Sequence, residues 1–241
     1  MKKMIMLVLA LSLATVLAAC GDDSASDKNA DKNNDKKSEE TAQPAKKEVE
    51  ITDKEKVDND KVVTKINGQE IKGKKYNASY AQTKMLMSQY GQDVSDLKNV
   101  KKQALNVIVQ QELLKQDAKE KGIEVSEKEV QKEFETIKKN KADQLAAVLE
   151  KLHLTEASYK KQLAFEITLS KYMKQEIKAT EVSDKEVQAY YDKLKEQSKD
   201  IPKLDEMKKQ IKGQLEQQKQ QKQLQAKIEK LKKNAEIKHM I

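Results

Sequence analysis

The sequence predicts a mainly α protein: a multi-helix domain entered through a small N-terminal β-hairpin and closed by a long C-terminal helix that packs back on it. Three observations carry that expectation. Residues 62–72, VVTKINGQEIK, set a β-branched run and a short second run around Asn67-Gly68, and Asn-Gly suits the tight hairpin turn that needs positive φ at both central positions. From residue 74 onward the apolar residues recur at helical spacing. The composition, 37% charged and 4% aromatic with no tryptophan, suits solvated helices around a modest core rather than an enzyme built on a large dry pocket.

The N-terminus reads first as an export signal. Lys2 and Lys3 precede an uncharged run from Met4 to Ala19 that is too short for an ordinary spanning helix. It ends in Leu17-Ala18-Ala19-Cys20, and Cys20 is the sole cysteine, so no intrachain disulfide and no cysteine-based metal site can form. This stretch resembles the lipobox of bacterial lipoproteins. The resemblance implies a signal peptide over 1–19, cleavage before Cys20 and a diacylglyceryl thioether on its sulfur, a two-chain anchor of durable strength. An ordinary secretory signal with a chance cysteine is the bland alternative.

Residues 20–60 are expected to be a disordered tether. They carry eight lysines against thirteen acids and almost no apolar side chains, too little to offset the entropy of ordering. Residues 61–241 reverse the balance, with 38 lysines against 27 acids. A basic folded part suits an anionic envelope setting or acidic partners, and solubility alone explains it equally well. All 48 basic residues are lysine. The missing arginine counts against sequence-specific nucleic-acid binding, where its bidentate fork is the usual reader.

After the hairpin, Tyr76, Tyr80, Thr83, Met87 and Tyr90 fall on one helical face. Val100, Ala104, Val107, Gln111, Leu114 and Ala118 line a second helix, widened by Leu105 and Ile108 and closed by Gly122 at the position after its C-cap. Two later segments, VSEKEVQKEF from Val125 and VSDKEVQAYY from Val182, are entered alike. Ser126 with Glu129 and Ser183 with Glu186 predict capping boxes, and Val125/Val130 and Val182/Val187 predict hydrophobic staples. Between them lie a short helix around Leu145–Leu152 and a longer one capped by Thr155. The latter is lined by Tyr159, Leu163, Ile167 and Met173, with Phe165, Leu169 and Tyr172 alongside. The last helix is expected to start with Pro202 near its first position and to run to about Asn234. It is apolar at both ends and polar around Glu216–Gln223, the pattern of a bridge between two docking points. The closing segment EIKHMI could add an edge strand to the hairpin.

Taken in order, Val63-TKINGQEI, Ala104-LNVIVQQELLKQDAKEKGIEVSEKEV, the run from Leu154 to Glu196 and the helix from Leu204 resemble the PrsA/SurA-type foldases. The resemblance implies a SurA N-terminal-like chaperone domain over 61–198, completed by a C-terminal helix over 199–241. It also implies membrane-anchored lipoprotein status on the extracytoplasmic face and unfolded or partly folded secreted proteins as partners. In that family a parvulin-type prolyl isomerase lies between the two last helices. Here only Lys199 and Asp200 separate Ser198 from Ile201, too short a connection to hold a domain. Parvulin sites use a histidine pair with cysteine or aspartate. This chain has only His153 and His239, far apart in sequence, and Cys20 is assigned to lipid.

No phosphate loop, HExxH or CxxC occurs, so no cofactor, metal or catalytic residue is expected. The leading expectation is a holdase whose client contacts are Tyr76, Tyr80, Met87, Tyr90, Phe165, Tyr172 and Met173, because adaptable Met and Tyr surfaces suit varied clients. For any one of these residues, core packing is the ordinary fate of a large apolar side chain. An envelope adaptor that binds one defined partner, and a residual prolyl isomerase, are the competing readings.

Overall fold

The computed structural model describes residues 49–151, 154–178, 181–198 and 201–241. The signal segment, Cys20, most of the tether, His153, Lys199 and Asp200 lie outside the described residues.

Strands β1 (Val62–Ile66) and β2 (Gln69–Lys72) form the expected hairpin, in antiparallel register with Ile66 opposite Gln69 and Thr64 opposite Ile71. Asn67 and Gly68 have φ of 49° and 80°, the paired positive values that a type I′ turn demands. The C-terminal segment supplies β3 (Ile237–His239), which pairs antiparallel with β1 and completes a sheet of order β2-β1-β3. Asn67 fastens this closure: its backbone N–H donates to the Glu236 carbonyl and its side-chain oxygen accepts from the Glu236 N–H, each at 2.9 Å.

Seven helices follow among the described residues: α1 (Gly73–Gln89), α2 (Leu97–Glu120), α3 (Glu127–Asn140), α4 (Ala142–Lys151), α5 (Glu156–Glu176), α6 (Asp184–Gln197) and α7 (Leu204–Asn234). Their ends are set locally. Asp96, Ser126, Thr155 and Ser183 each accept from a backbone N–H three residues on, satisfying a donor that the first helical turn leaves orphaned. Gly122 ends α2 at φ 71°, with its N–H donating to Lys119 and that of Ile123 to Ala118, the paired bonds of a Schellman motif.

The two look-alike helix starts diverge. At Ser183 the box is complete, since Glu186 reaches back to the Ser183 N–H at 3.0 Å. At Ser126 the equivalent Glu129 turns instead to Lys171 on α5, at 2.8 Å. Both valine pairs share a core cluster, Val125 with Val130 and Val182 with Val187.

The core divides into four clusters. The sheet, α1 and the first part of α2 form one around Val63, Ile66, Tyr76, Tyr80, Met87 and Ile108. The end of α2, the end of α5 and the far part of α7 form a second, around Leu114, Tyr172, Leu224 and Ile228. The third joins α3, α4 and α5 through Val130, Phe134, Leu145 and Leu163, and the fourth joins α6 to α7 through Val187, Tyr191 and Ile211. Each fully buried aliphatic or aromatic side chain contributes about 1.5–3 kcal/mol relative to exposure. α7 thus docks at both ends, at Ile211 and at Leu224 with Ile228, as its apolar–polar–apolar pattern predicts. Its polar middle is itself pinned, with Lys219 donating to the Glu181 carbonyl at 2.8 Å and to Glu186 at 3.0 Å.

Besides the Ser126 capping box, three expectations need correction. The tether gives way to folded chain before residue 60. Asn77 exchanges two hydrogen bonds with the Val57 backbone at 2.9 and 2.8 Å, and Lys84 donates to the Glu50 carbonyl at 2.8 Å. The segment is polar, but polar side chains of α1 hold it. α7 begins at Leu204, not at Pro202, because Lys203 is still extended and the Pro202 carbonyl accepts from the Tyr191 hydroxyl at 3.0 Å. Finally, α2 is buried on more than one face: Val109, Glu112, Leu113 and Asp117 join the expected stripe, because the sheet, α1, α5 and α7 all pack against it. No helix among the described residues is long and apolar enough to cross a membrane.

Candidate functional site

The seven apolar candidates separate sharply by exposure. Tyr76, Tyr80 and Met87 lie in the first core cluster and Tyr172 in the second, none of them more than 2% exposed. The Tyr76 and Tyr80 rings pack at 5.7 Å between centroids. The two deepest phenols are held by carboxylates: Tyr80 donates to Glu55 at 2.9 Å and Tyr172 to Asp117 at 2.5 Å. Burial, then the neighbouring carboxylate, pushes both phenols well above the usual tyrosine range. These four side chains hold the domain together and are not open to a client in this conformation. Tyr90 is 58% exposed because it is the C-cap of α1, where the chain turns out at Gly91. It stands apart from the other six.

Phe165 and Met173 are half-buried. With Leu169 they recur every four residues on α5, so they form one ridge on a single helix face. This ridge sits at the margin of the second cluster, partly covered by it. Tyr159, Ala164 and Ile167 sit in the same way at the margin of the third. From Ala164 to Leu169 every residue of α5 is half-buried, so the helix carries a partly covered apolar stripe between two cores.

One acid interrupts the stripe. Glu166 is half-buried, and burial raises its carboxyl above the usual carboxylate range. Two lysines of α5 are engaged elsewhere, Lys160 over the Phe134 ring at 4.4 Å and Lys171 with Glu129. Sequence inspection for apolar periodicity passes over this carboxylate. The seven-residue spacing of Tyr159, Glu166 and Met173 is the signal that would have found it.

Elsewhere, α2 and α7 border a groove of about 320 Å³ whose lining includes Asn67, Gln116, Asp117, Glu120, Lys227 and Lys230. Asp117 is already satisfied there, by Tyr172 and by Lys227 at 3.4 Å. His239 lies on β3 with its Nδ1 3.1 Å from the Thr64 hydroxyl. Among the described residues no group of three or more histidine, cysteine, aspartate or glutamate side chains converges in a way that could hold a metal ion.

Residues 49–173 match the family described as the SurA-like N-terminal domain. That span opens at the segment docked on α1 and closes at Met173, so it contains the whole α5 stripe. The chain is also 32% identical over 154 residues to the foldase protein PrsA of Caldanaerobacter subterraneus subsp. tengcongensis. The similarity takes in 59% of this chain and 45% of that protein, so the chain spans less than half the length of that relative.

Proposed function

The chain belongs to the SurA-like N-terminal domain family, and on that premise we propose that it is a membrane-anchored, extracytoplasmic chaperone-like lipoprotein that holds unfolded or partly folded secreted proteins. One observation carries the proposal: the half-covered ridge of Phe165, Leu169 and Met173 on α5, inside the matched span. A partly exposed apolar ridge on a well-packed helix offers a client dispersion and desolvation gains without unfolding the domain. Methionine and leucine adapt to varied partners at little cost. Tyr90 is a second, separate contact point, exposed at the end of α1.

The anchor in this proposal is lipid on Cys20, supported by the Leu17-Ala18-Ala19-Cys20 motif after a short apolar run. The absence of a parvulin domain between the last two helices is supported by the short connection from Ser198 to Lys203 that joins α6 to α7. The chain would then hold clients without isomerising their prolines.

The test is light scattering of two unrelated, chemically denatured proteins diluted into buffer with the full chain. Suppression of both, weakened by Phe165→Ala with Leu169→Ala while the circular dichroism melt stays cooperative, is the expected result. Suppression of neither, with recovery of one native partner in a pull-down, favours the adaptor and overturns the chaperone. A proline-peptide assay with turnover well above background overturns the isomerase-free part alone.

A further inference from the structure

Glu166 sits midway along the α5 stripe, two turns from Tyr159 and two turns from Met173, with Leu169 one turn away. Its neighbours at three- and four-residue spacing are Gln162, Leu163, Leu169 and Ser170, none of them basic. The chain has 48 lysines, and acids elsewhere on the surface are readily paired, as Glu129, Glu156 and Glu176 are with Lys171, Lys138 and Lys121. Among the described residues no lysine pairs with Glu166, and only burial moves its carboxyl. Burial first, and then its charge with that of Glu133, raises the Tyr159 phenol above the usual tyrosine range.

A desolvated carboxylate without a cation costs the fold stability. A cation brought from outside would offset part of that cost. Tyrosine, leucine and methionine on either side suit the aliphatic stem of a long basic side chain, which lays its methylenes on apolar surface while its head reaches the charge. Residues 61–241 hold 38 lysines against 27 acids, so the folded part repels cations in general. A basic side chain laid along this stripe meets Glu166 midway, with Glu133 of α3 also acting on the Tyr159 end.

We propose that Glu166 is the subsite of the α5 stripe that receives a lysine or arginine side chain of a non-native client, with the client's adjoining apolar residues lying along Tyr159, Leu169 and Met173. The inference rests on the client-holding role proposed above and names the class of segment preferred: apolar stretches interrupted by a single basic residue.

The experiment uses the full chain and fluorescein-labelled unstructured peptides of one apolar sequence, with lysine, Nε-acetyl-lysine or glutamate at the centre, and reads affinity by fluorescence anisotropy. The lysine peptide is expected to bind about tenfold tighter than its acetylated counterpart, as a charge-assisted contact at a half-buried site allows. The gap should narrow at high salt. Glu166→Gln, close in shape, is expected to erase the preference of the chain for the lysine peptide over its acetylated counterpart. Equal binding of all three peptides, with Phe165→Ala still weakening each, overturns the Glu166 subsite and leaves the client surface standing. Failure of every peptide to bind, together with failure to suppress aggregation, overturns the client surface and the subsite together. The lysine preference itself is read on the unaltered chain, and a cooperative circular dichroism melt of each variant shows that it has folded.

Discussion

Tyr172 on α5 donates its phenolic hydrogen to Asp117 on α2 at 2.5 Å, both side chains buried, with Lys227 of α7 completing the junction at 3.4 Å. Three helices therefore meet at one carboxylate. Tyr172→Phe keeps the ring and removes the donor, leaving Asp117 with Lys227 alone. The expected loss is about 1–2 kcal/mol, readable as a lower denaturant midpoint with an unchanged slope. Aggregation suppression per folded molecule should stay as it was, because the ring faces the core.

The docking of residues 50–57 rests on a second buried carboxylate. Glu55 accepts from Lys84 at 2.5 Å, from Tyr80 at 2.9 Å and from the Thr52 hydroxyl and N–H at 2.8 and 2.9 Å. Burial alone would raise its carboxyl; the hydrogen bonds from Lys84, Thr52 and Tyr80 overcome that and bring it down to about 2 from the ordinary 4.5. A depressed acid stabilises the fold above its unfolded value and loses that contribution as pH falls toward the folded one. The stability difference between the native chain and Glu55→Gln should thus be full at neutral pH and shrink between about pH 4.5 and pH 2. Lys84→Met, which leaves the carboxylate buried and unpaired, is expected to cost about 3 kcal/mol or more at pH 7. Limited proteolysis should then cut within residues 50–57.

Gly73 opens α1 directly beneath that same segment. A Cβ there would overlap the carbonyl oxygen of Asp58 and come within 2.8 Å of Val57 Cγ2. Backbone cannot swing aside as a flexible side chain can, so Gly73→Ala is expected to destabilise by about 1–3 kcal/mol, although alanine is the better helix former. Ala78→Gly, exposed on the same helix, is the comparison: a loss of about 1 kcal/mol from helix propensity alone.

Glu166 should behave in the opposite sense to Glu55. Its carboxyl is raised by burial, so ionisation costs the fold once the pH passes the unfolded value, and stability is recovered as the pH falls. Glu166→Gln is expected to leave the chain as stable or more stable at pH 7, with the difference vanishing at acid pH. Denaturant titrations at the two extremes check the sign.

Much of this was legible in the sequence, and the reasons are local. Asn67-Gly68, Ser126, Thr155, Ser183 and Gly122 act through bonds to residues a few positions away, so spacing alone locates them. The β3 closure was also readable, from a short β-branched tail. What could not be read was which face of each helix meets which neighbour. Tyr76, Tyr80, Met87 and Tyr172 share the composition of a client surface, yet they are buried because the sheet, α2 and residues 50–57 cover them. Periodicity identifies an apolar face without saying what lies against it. The same limit hid the docked segment, whose Thr52-Asp53-Lys54-Glu55 is a capping-box pattern inside an otherwise polar run. Glu129 and Glu186 stand in equivalent sequence settings and each meets a lysine of another helix, Lys171 and Lys219, yet only Glu186 also reaches back to its own helix start.

The most direct measurement places a photo-activated cross-linker in turn at Leu169, at Tyr90 and at exposed Lys193 on α6, in the full chain, and mixes each with a denatured protein before illumination. Strong adducts from the Leu169 position, fewer from Tyr90 and background from Lys193 are what a client-holding α5 stripe predicts. Adducts that are equal at all three positions, or absent at Leu169, would contradict it.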